Sequence, residues 1–155
     1  VKIVDILHAS MIIPDVAATD KEGLLREFAH FMCSRSEGIG CTGEAAERAL
    51  LGRERLGSTG VGENVAIPHA KIAGLKNIVA CFGRSAGGVP FDAVDQQPVR
   101  LVFVLLVPEN SAGAHLKALA RVARLLKSAS FRDRLQSLPD AASLFEAFVE
   151  EDAKY

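Results

Sequence analysis

The sequence predicts a three-layer α/β/α sandwich around a central mixed sheet of about five strands. Three observations carry that reading. Leu101-Val102-Phe103-Val104-Leu105-Leu106-Val107 is apolar throughout and largely branched, as in a strand covered on both faces. Helical periodicity lies both before and after a cluster of strand-like runs, which places helices on both sides of a sheet. The connection between residues 78–83 and 101–107 is too poor in helix for a crossover, so the sheet is mixed rather than wholly parallel. A chain of 155 residues fits one domain, spanning 1–155, that buries roughly two-thirds of its unfolded surface.

The elements follow in order. Thr19-Asp20-Lys21-Glu22 reads as a capping box, and Leu24, Leu25, Phe28, Phe31 and Met32 follow at helical spacing. That helix should stop in the Ser- and Gly-rich stretch from Ser34 to Gly40. A second helix starts at Thr42 and runs through Ala45, Ala46, Ala49 and Leu50 towards Leu56, with Gly57 as its stop. Val65 to Ile67 is a short strand ended by Pro68, and Ile78 to Gly83 is a second strand. Gly87 to Phe91 and Asp92 to Pro98 read as loop or edge segment. Pro108 ends the central strand. The third helix has Leu116, Leu119, Ala120, Ala123 and Leu126 as its expected apolar face. Two shorter helices, around Phe131 to Leu138 and Ala142 to Glu150, close the chain.

Composition narrows the function. Hydrophobic residues make up 49% and charged residues 24%, with a net charge of −1, so no global basic field exists. Eight Phe, one Tyr and no Trp leave few stacking platforms, and no nucleic-acid partner is expected. Cys33, Cys41 and Cys81 form no C-x-x-C pair and are odd in number. They suggest neither a zinc knuckle nor a disulfide framework, and reduced thiols are the expectation. The longest apolar run is too short to span a bilayer, and the first residues lack a signal-peptide pattern. A cytoplasmic location without direct membrane insertion is expected.

The most informative stretch is Gly57-Ser58-Thr59-Gly60-Val61-Gly62-Glu63-Asn64-Val65-Ala66-Ile67-Pro68-His69-Ala70-Lys71. A histidine directly after a proline, at the end of a glycine-punctuated loop, has a restrained backbone and an approachable ring. Imidazole offers a neutral nucleophile near pH 7. A hairpin turn with a satisfied histidine is the competing reading. No Gly-Lys-Ser/Thr follows the glycines, and Val65 stands where a dinucleotide fingerprint requires glycine. His69, Glu63 and His115 supply enough ligand types for a metal, which leaves that reading open. Arg53, near the end of the second helix, suits a phosphoryl group, although Glu54 and Arg55 beside it also fit a solvated face. His115 follows Pro108-Glu109-Asn110-Ser111-Ala112-Gly113-Ala114, which places it in a first helical turn beyond a central strand. Anions favour that location. A helix-start histidine without a role is the alternative there.

The run from Gly57 to Lys71, centred on Ile67-Pro68-His69, resembles the phosphorylation signature of EIIA domains of the bacterial phosphotransferase system. It is similar to the mannitol/fructose class, and within it to the nitrogen-regulatory (PtsN-like) branch. Gly83-Arg84-Ser85, Gly88 to Asp95, Leu101 to Glu109 and the start of the helix at His115 extend the likeness over nearly the whole chain. The resemblance implies that His69 is phosphorylated on Nε2, that Arg53 steadies the phosphoryl group, and that His115 is the second active-site histidine. It implies an HPr-like (NPr) phosphocarrier as donor, and regulatory target proteins or an EIIB domain as output. It implies no cofactor and no metal. Glu63 occupies a position often acidic or amide in the family. Gln96 stands where the family's Asp-Gly-x-Pro-Val segment has glycine, which puts the local turn geometry in doubt. Val61 and Ile67 are the expected apolar rim for a docking donor.

Overall fold

The computed structural model describes residues 1–35 and 40–155. In chain order these form β1 (Ile12–Ile13), α1 (Lys21–Arg35), α2 (Gly43–Arg55), β2 (Gly60–Gly62), β3 (Val65–Ala66), β4 (His69–Ile72), β5 (Val79–Val89), β6 (Val99–Pro108), α3 (Ala112–Leu126), α4 (Ala129–Ser137) and α5 (Ala141–Asp152). Two single 3-10 turns, Ile3–Asp5 and Ala9–Met11, precede β1. Residues 36–39, within the expected end of the first helix, lie outside the described residues.

The sheet runs β1-β5-β6-β3-β2, with β4 also paired to β6. β3 meets β6 at Leu101 and Val102, and β4 meets it from Leu105 to Pro108, so the two share one edge of β6. Six segments therefore fill five positions. β1–β5, β3–β6 and β4–β6 are parallel, whereas β5–β6 and β2–β3 are antiparallel. The mixed sheet expected from the helix-poor 78–107 connection is thus present. β6 is buried from Leu101 to Val107 because both of its faces are covered.

Side-chain alternation along β5 defines the two covering layers. Gly83 lacks a side chain because the Phe28 ring of α1 occupies the place of its Cβ. Phe82 points the other way and meets Phe148 of α5 edge-on, with ring centroids 4.8 Å apart. Phe148 also packs on Phe103 at 5.6 Å and on Phe131 of α4 at 5.2 Å. One layer is therefore α1 with α2 packed beside it. The other is α5 and α4, with α3 next to α4. Arg84 is buried in the join, where it donates to Pro14 O at 3.1 Å and to the Leu135 and Leu138 carbonyls.

Several expectations change. The α1 cap is Asp20, which accepts from Gly23 N at 2.7 Å, one residue later than the Thr19 box. A carboxylate there answers the helix dipole as a hydroxyl does not. Thr42 caps α2 as expected, accepting from Ala45 N at 3.1 Å. Arg84 to Val89 prolongs β5 against β6 with an irregular register, so Gly87 to Val89, expected as loop or edge segment, belong to the strand. The buried face of α3 is Ala118, Val122, Leu125 and Leu126, while Leu116 is 66% exposed and Ala120 and Ala123 face outward. An alanine-rich helix offers two competing stripes, and the larger side chains at 122 and 125 decide which is buried.

Candidate functional site

The glycine-punctuated stretch is a hairpin followed by a separate strand that begins at His69. β2 and β3 pair antiparallel, and Glu63 and Asn64 turn between them with φ 57° and 65°. Such left-handed pairs match the right-handed twist of a tight hairpin. Pro68 then breaks the line, and the chain rejoins β6 as β4, with Leu105 N donating to Pro68 O at 2.9 Å. His69 is the first residue of β4 and pairs with Leu105. Along this strand Ala70 and Ile72 are buried, while His69 is half-buried and Lys71 exposed. Strand alternation thus puts His69 and Lys71 on one face.

The tautomer of His69 follows from its partner. Nδ1 lies 2.9 Å from Ile67 O, and a carbonyl only accepts, so Nδ1 carries the hydrogen and donates. In the neutral ring the lone pair is then on Nε2. His115, on the first turn and a bit of α3, has its ring centroid 5.4 Å from that of His69, tilted by 55°. Its amide is spent on Ser111 O at 2.8 Å. Its Nε2 is buried and has no hydrogen-bond partner among the described residues. Burial pushes the His115 pKa below the usual imidazole value, and the charges of His69, Lys71 and Arg53 push it the same way. Each of these four groups therefore lies within electrostatic reach of the same spot.

Arg53 stands in the last turn of α2 and is half-buried. Its Nη1 donates to Gly57 O at 2.9 Å, which holds the guanidinium at the end of its own helix. Glu54, next in sequence, fixes the exit from that helix. It is 8% exposed and accepts from Thr59 N at 2.9 Å and Thr59 Oγ1 at 2.6 Å, with Lys21 Nζ 2.9 Å away. Glu54 is therefore no part of a solvated face; it ties α2 to β2 and so positions Arg53.

Glu63 does not join the histidines. Its side chain is 77% exposed and faces Arg132 Nη2 at 3.6 Å. Among the described residues no cluster of three or more His, Cys, Asp or Glu side chains is placed to hold a metal. Sequence reasoning brought His69, Arg53 and His115 to one neighbourhood but assigned no site role to Lys71 or Glu54. The four residues of β4 are too few for their alternation to have announced Lys71 as part of the site.

Chemically, the neighbourhood of His115 gathers the His69 ring, two cations and a buried nitrogen with no partner among the described residues. That arrangement favours an anion, because an anion relieves both the mutual repulsion of the cations and the unsatisfied Nε2. Val61 is 56% exposed and Leu116 66%, and an apolar groove of about 450 Å³ lies between the hairpin and α3, lined in part by Val61, Ile67, Ala123 and Leu126. Ile67, expected at the rim, is only 5% exposed and contributes to the floor instead. Among the described residues no helix is long and apolar enough to cross a membrane.

Residues 5–151 match the family described as "Phosphoenolpyruvate-dependent sugar phosphotransferase system, EIIA 2". A nitrogen regulatory protein of Bradyrhizobium diazoefficiens is 39% identical over 147 residues, covering 95% of this chain and 94% of that one. The crystal structure of the nitrogen regulatory protein IIA-Ntr from Neisseria meningitidis superposes with a TM-score of 0.86 at 35% identity, covering 93% of this chain and 97% of that chain. The fructose-specific EIIABC component of Bacillus subtilis is 38% identical over 109 residues, which is 70% of this chain and 17% of that protein. With the match spanning nearly its full length and the fold in agreement, the chain belongs to the EIIA type 2 family of the phosphoenolpyruvate-dependent phosphotransferase system.

Proposed function

We propose that this protein is a nitrogen-related phosphocarrier whose His69 Nε2 accepts a phosphoryl group from the phosphohistidine of an HPr-like (NPr) donor. The observation that carries the reading is the Nδ1–Ile67 O hydrogen bond, which leaves the Nε2 lone pair free on a ring 5.4 Å from that of His115, itself within electrostatic reach of Arg53 and Lys71. In the transfer, the Nε2 lone pair forms the new N–P bond while the donor's N–P bond breaks and its electron pair returns to the donor imidazole. The protein supplies alignment and charge rather than covalent chemistry. Arg53 neutralises the moving oxygens, and His115 donates from Nε2 to one of them. Neither step requires a metal or cofactor. Val61 and Leu116 give the donor an apolar surface to dock on.

Regulation of other proteins by phosphorylation state, within the cytoplasm, is supported by the extensive likeness to nitrogen regulatory proteins. A second reading, a sugar-specific EIIA that hands its phosphoryl group to an EIIB domain, is favoured by the identity shared with the fructose component. Incubation with phosphoenolpyruvate, Enzyme I and an HPr-like donor should yield one acid-labile, base-stable phosphoryl group. The His69→Ala variant should fold and remain unlabelled; full labelling of that variant would overturn the assignment. Chase with a purified fructose-type EIIB domain separates the two outputs, since rapid loss of label to EIIB supports sugar transfer and retention supports regulation.

A further inference from the structure

Cys33 and Cys41 lie eight positions apart in sequence with no metal or redox motif between them, yet their sulfurs are 3.2 Å apart. Cys33 is in the last turn of α1, and Cys41 stands directly before Thr42, the N-cap of α2. Both side chains are partly buried where the two helices pack. The separation is about 1.2 Å beyond the ~2.0 Å of a bonded pair, so bonding requires a small approach and no rearrangement of helices. We propose that Cys33 and Cys41 are a reversible redox modification site, oxidised to an intramolecular disulfide by a small-molecule disulfide. The proposal is independent of the phosphoryl-transfer reading.

The roles of the two sulfurs differ. Cys33 is pushed up to about 12 by burial first, then by the Cys41 sulfur and the Glu44 carboxylate, so it keeps its proton and is the poorer attacking group. Cys41 stands one residue before the N-cap of α2, and the first attack falls to it because Cys33 is disfavoured. In the first step the Cys41 thiolate forms an S–S bond to one sulfur of the oxidant, whose own S–S bond breaks and releases one thiolate. Cys33 then gives its proton to water and attacks the Cys41 sulfur, expelling the second thiolate. Two protein thiols lose two electrons and two protons overall, and one small disulfide becomes two thiols. Cys81 takes no part because it is fully buried in β5, and burial raises its pKa strongly.

The resulting cross-link would close a short loop between α1 and α2 and stay remote from the histidines. Arg53 is twelve positions beyond Cys41, about 18 Å along the helix axis. The test is titration of the whole protein with oxidised and reduced glutathione, read by intact mass and by peptide mapping after alkylation. The expected result is a loss of 2 Da, a Cys33–Cys41 linked peptide, Cys81 remaining a thiol, and full reversal by dithiothreitol. The oxidised form should melt on the order of 5 °C higher than the reduced form. A Cys41→Ser variant should stop at no linkage, and Cys33→Ser should stop at a mixed disulfide on Cys41. Absence of the linked peptide under oxidised glutathione, links only between molecules, or a stoichiometric metal held by the two thiols in the purified protein would each overturn the proposal.

Discussion

His115 gives the residue scale its measurable signature. Its pKa lies below that of free imidazole because the ring is partly desolvated and faces His69, Lys71 and Arg53. In the unfolded chain it returns to roughly 6.5, so the unfolded state binds more protons as pH falls through that value. His115 therefore leaves stability untouched above the ordinary imidazole value and lowers it as pH drops towards the depressed one. Proton NMR titration should place the His115 midpoint below 6.5 (free imidazole, approximately) in the unmodified protein and higher once a dianion is attached nearby. An unchanged midpoint on phosphorylation would remove His115 from contact with the phosphoryl group. Gln96 offers a second test. It adopts φ 62° where the family segment has glycine, so the turn is kept with a side chain in the left-handed region. That conformation costs an L-residue about 1–2 kcal/mol, and glycine's extra freedom when unfolded returns about 0.5–1 kcal/mol of it. Gln96→Gly should raise the melting temperature by about 1–3 °C. A lower melting temperature would show that the 3.4 Å contact from Gln96 Nε2 to Ala93 O outweighs the backbone strain.

At the scale of elements, α2 carries Arg53 and β4 carries His69, the charge and the nucleophile of the proposed transfer. Arg53→Lys keeps the charge but loses the fork that holds Gly57 O and leaves donors for an anion. Loss of one charge-assisted hydrogen bond, about 1.5–3 kcal/mol, corresponds to a transfer rate slower by about 10- to 150-fold. Stopped-flow or quench-flow transfer from the phosphorylated donor measures it, and a rate equal to wild type would make Arg53 a surface residue. Which elements were legible has a physical basis. α1, α2 and β6 announce themselves because periodicity, caps and an apolar run agree. β1, β2 and β4 are two to four residues long and exist only through pairing with β5, β3 and β6, so no local pattern reveals them. The same lack hid Lys71, whose place beside His69 depends on β4 being a strand. Glu54 was hidden by its tertiary partners, Thr59 and Lys21, neither of which any helix pattern implies. The grouping of His69 with His115 and Arg53 rested on the family likeness, because Arg53 taken alone fitted a solvated helix face as well.

At the scale of the molecule, the site depends on two helical layers being clamped to one sheet. β5 holds that clamp at adjacent residues, with Phe82 against Phe148 on one face and Gly83 against Phe28 on the other. A methyl group added at Gly83 would collide with Phe28 Cζ and come within 3.1 Å of Val16 Cγ2. β5 cannot retreat, because its opposite face is filled by Phe148, itself wedged between Phe103 and Phe131. Overpacking of this kind costs about 1–3 kcal/mol, so Gly83→Ala should lower the melting temperature by roughly 2–12 °C. Transfer measured well below the transition should stay close to wild type, because His69, Arg53 and His115 are carried by β4, α2 and α3. A second change that frees space, Phe28→Leu, should recover part of the loss, and a double-mutant cycle of thermal melts quantifies that coupling. Strict additivity of the two changes would show that the Gly83–Phe28 contact does not set the spacing of α1 from the sheet. A collapse of transfer in the folded Gly83→Ala protein would instead show that strain in this clamp reaches the histidines through β6, the strand that both β5 and β4 share.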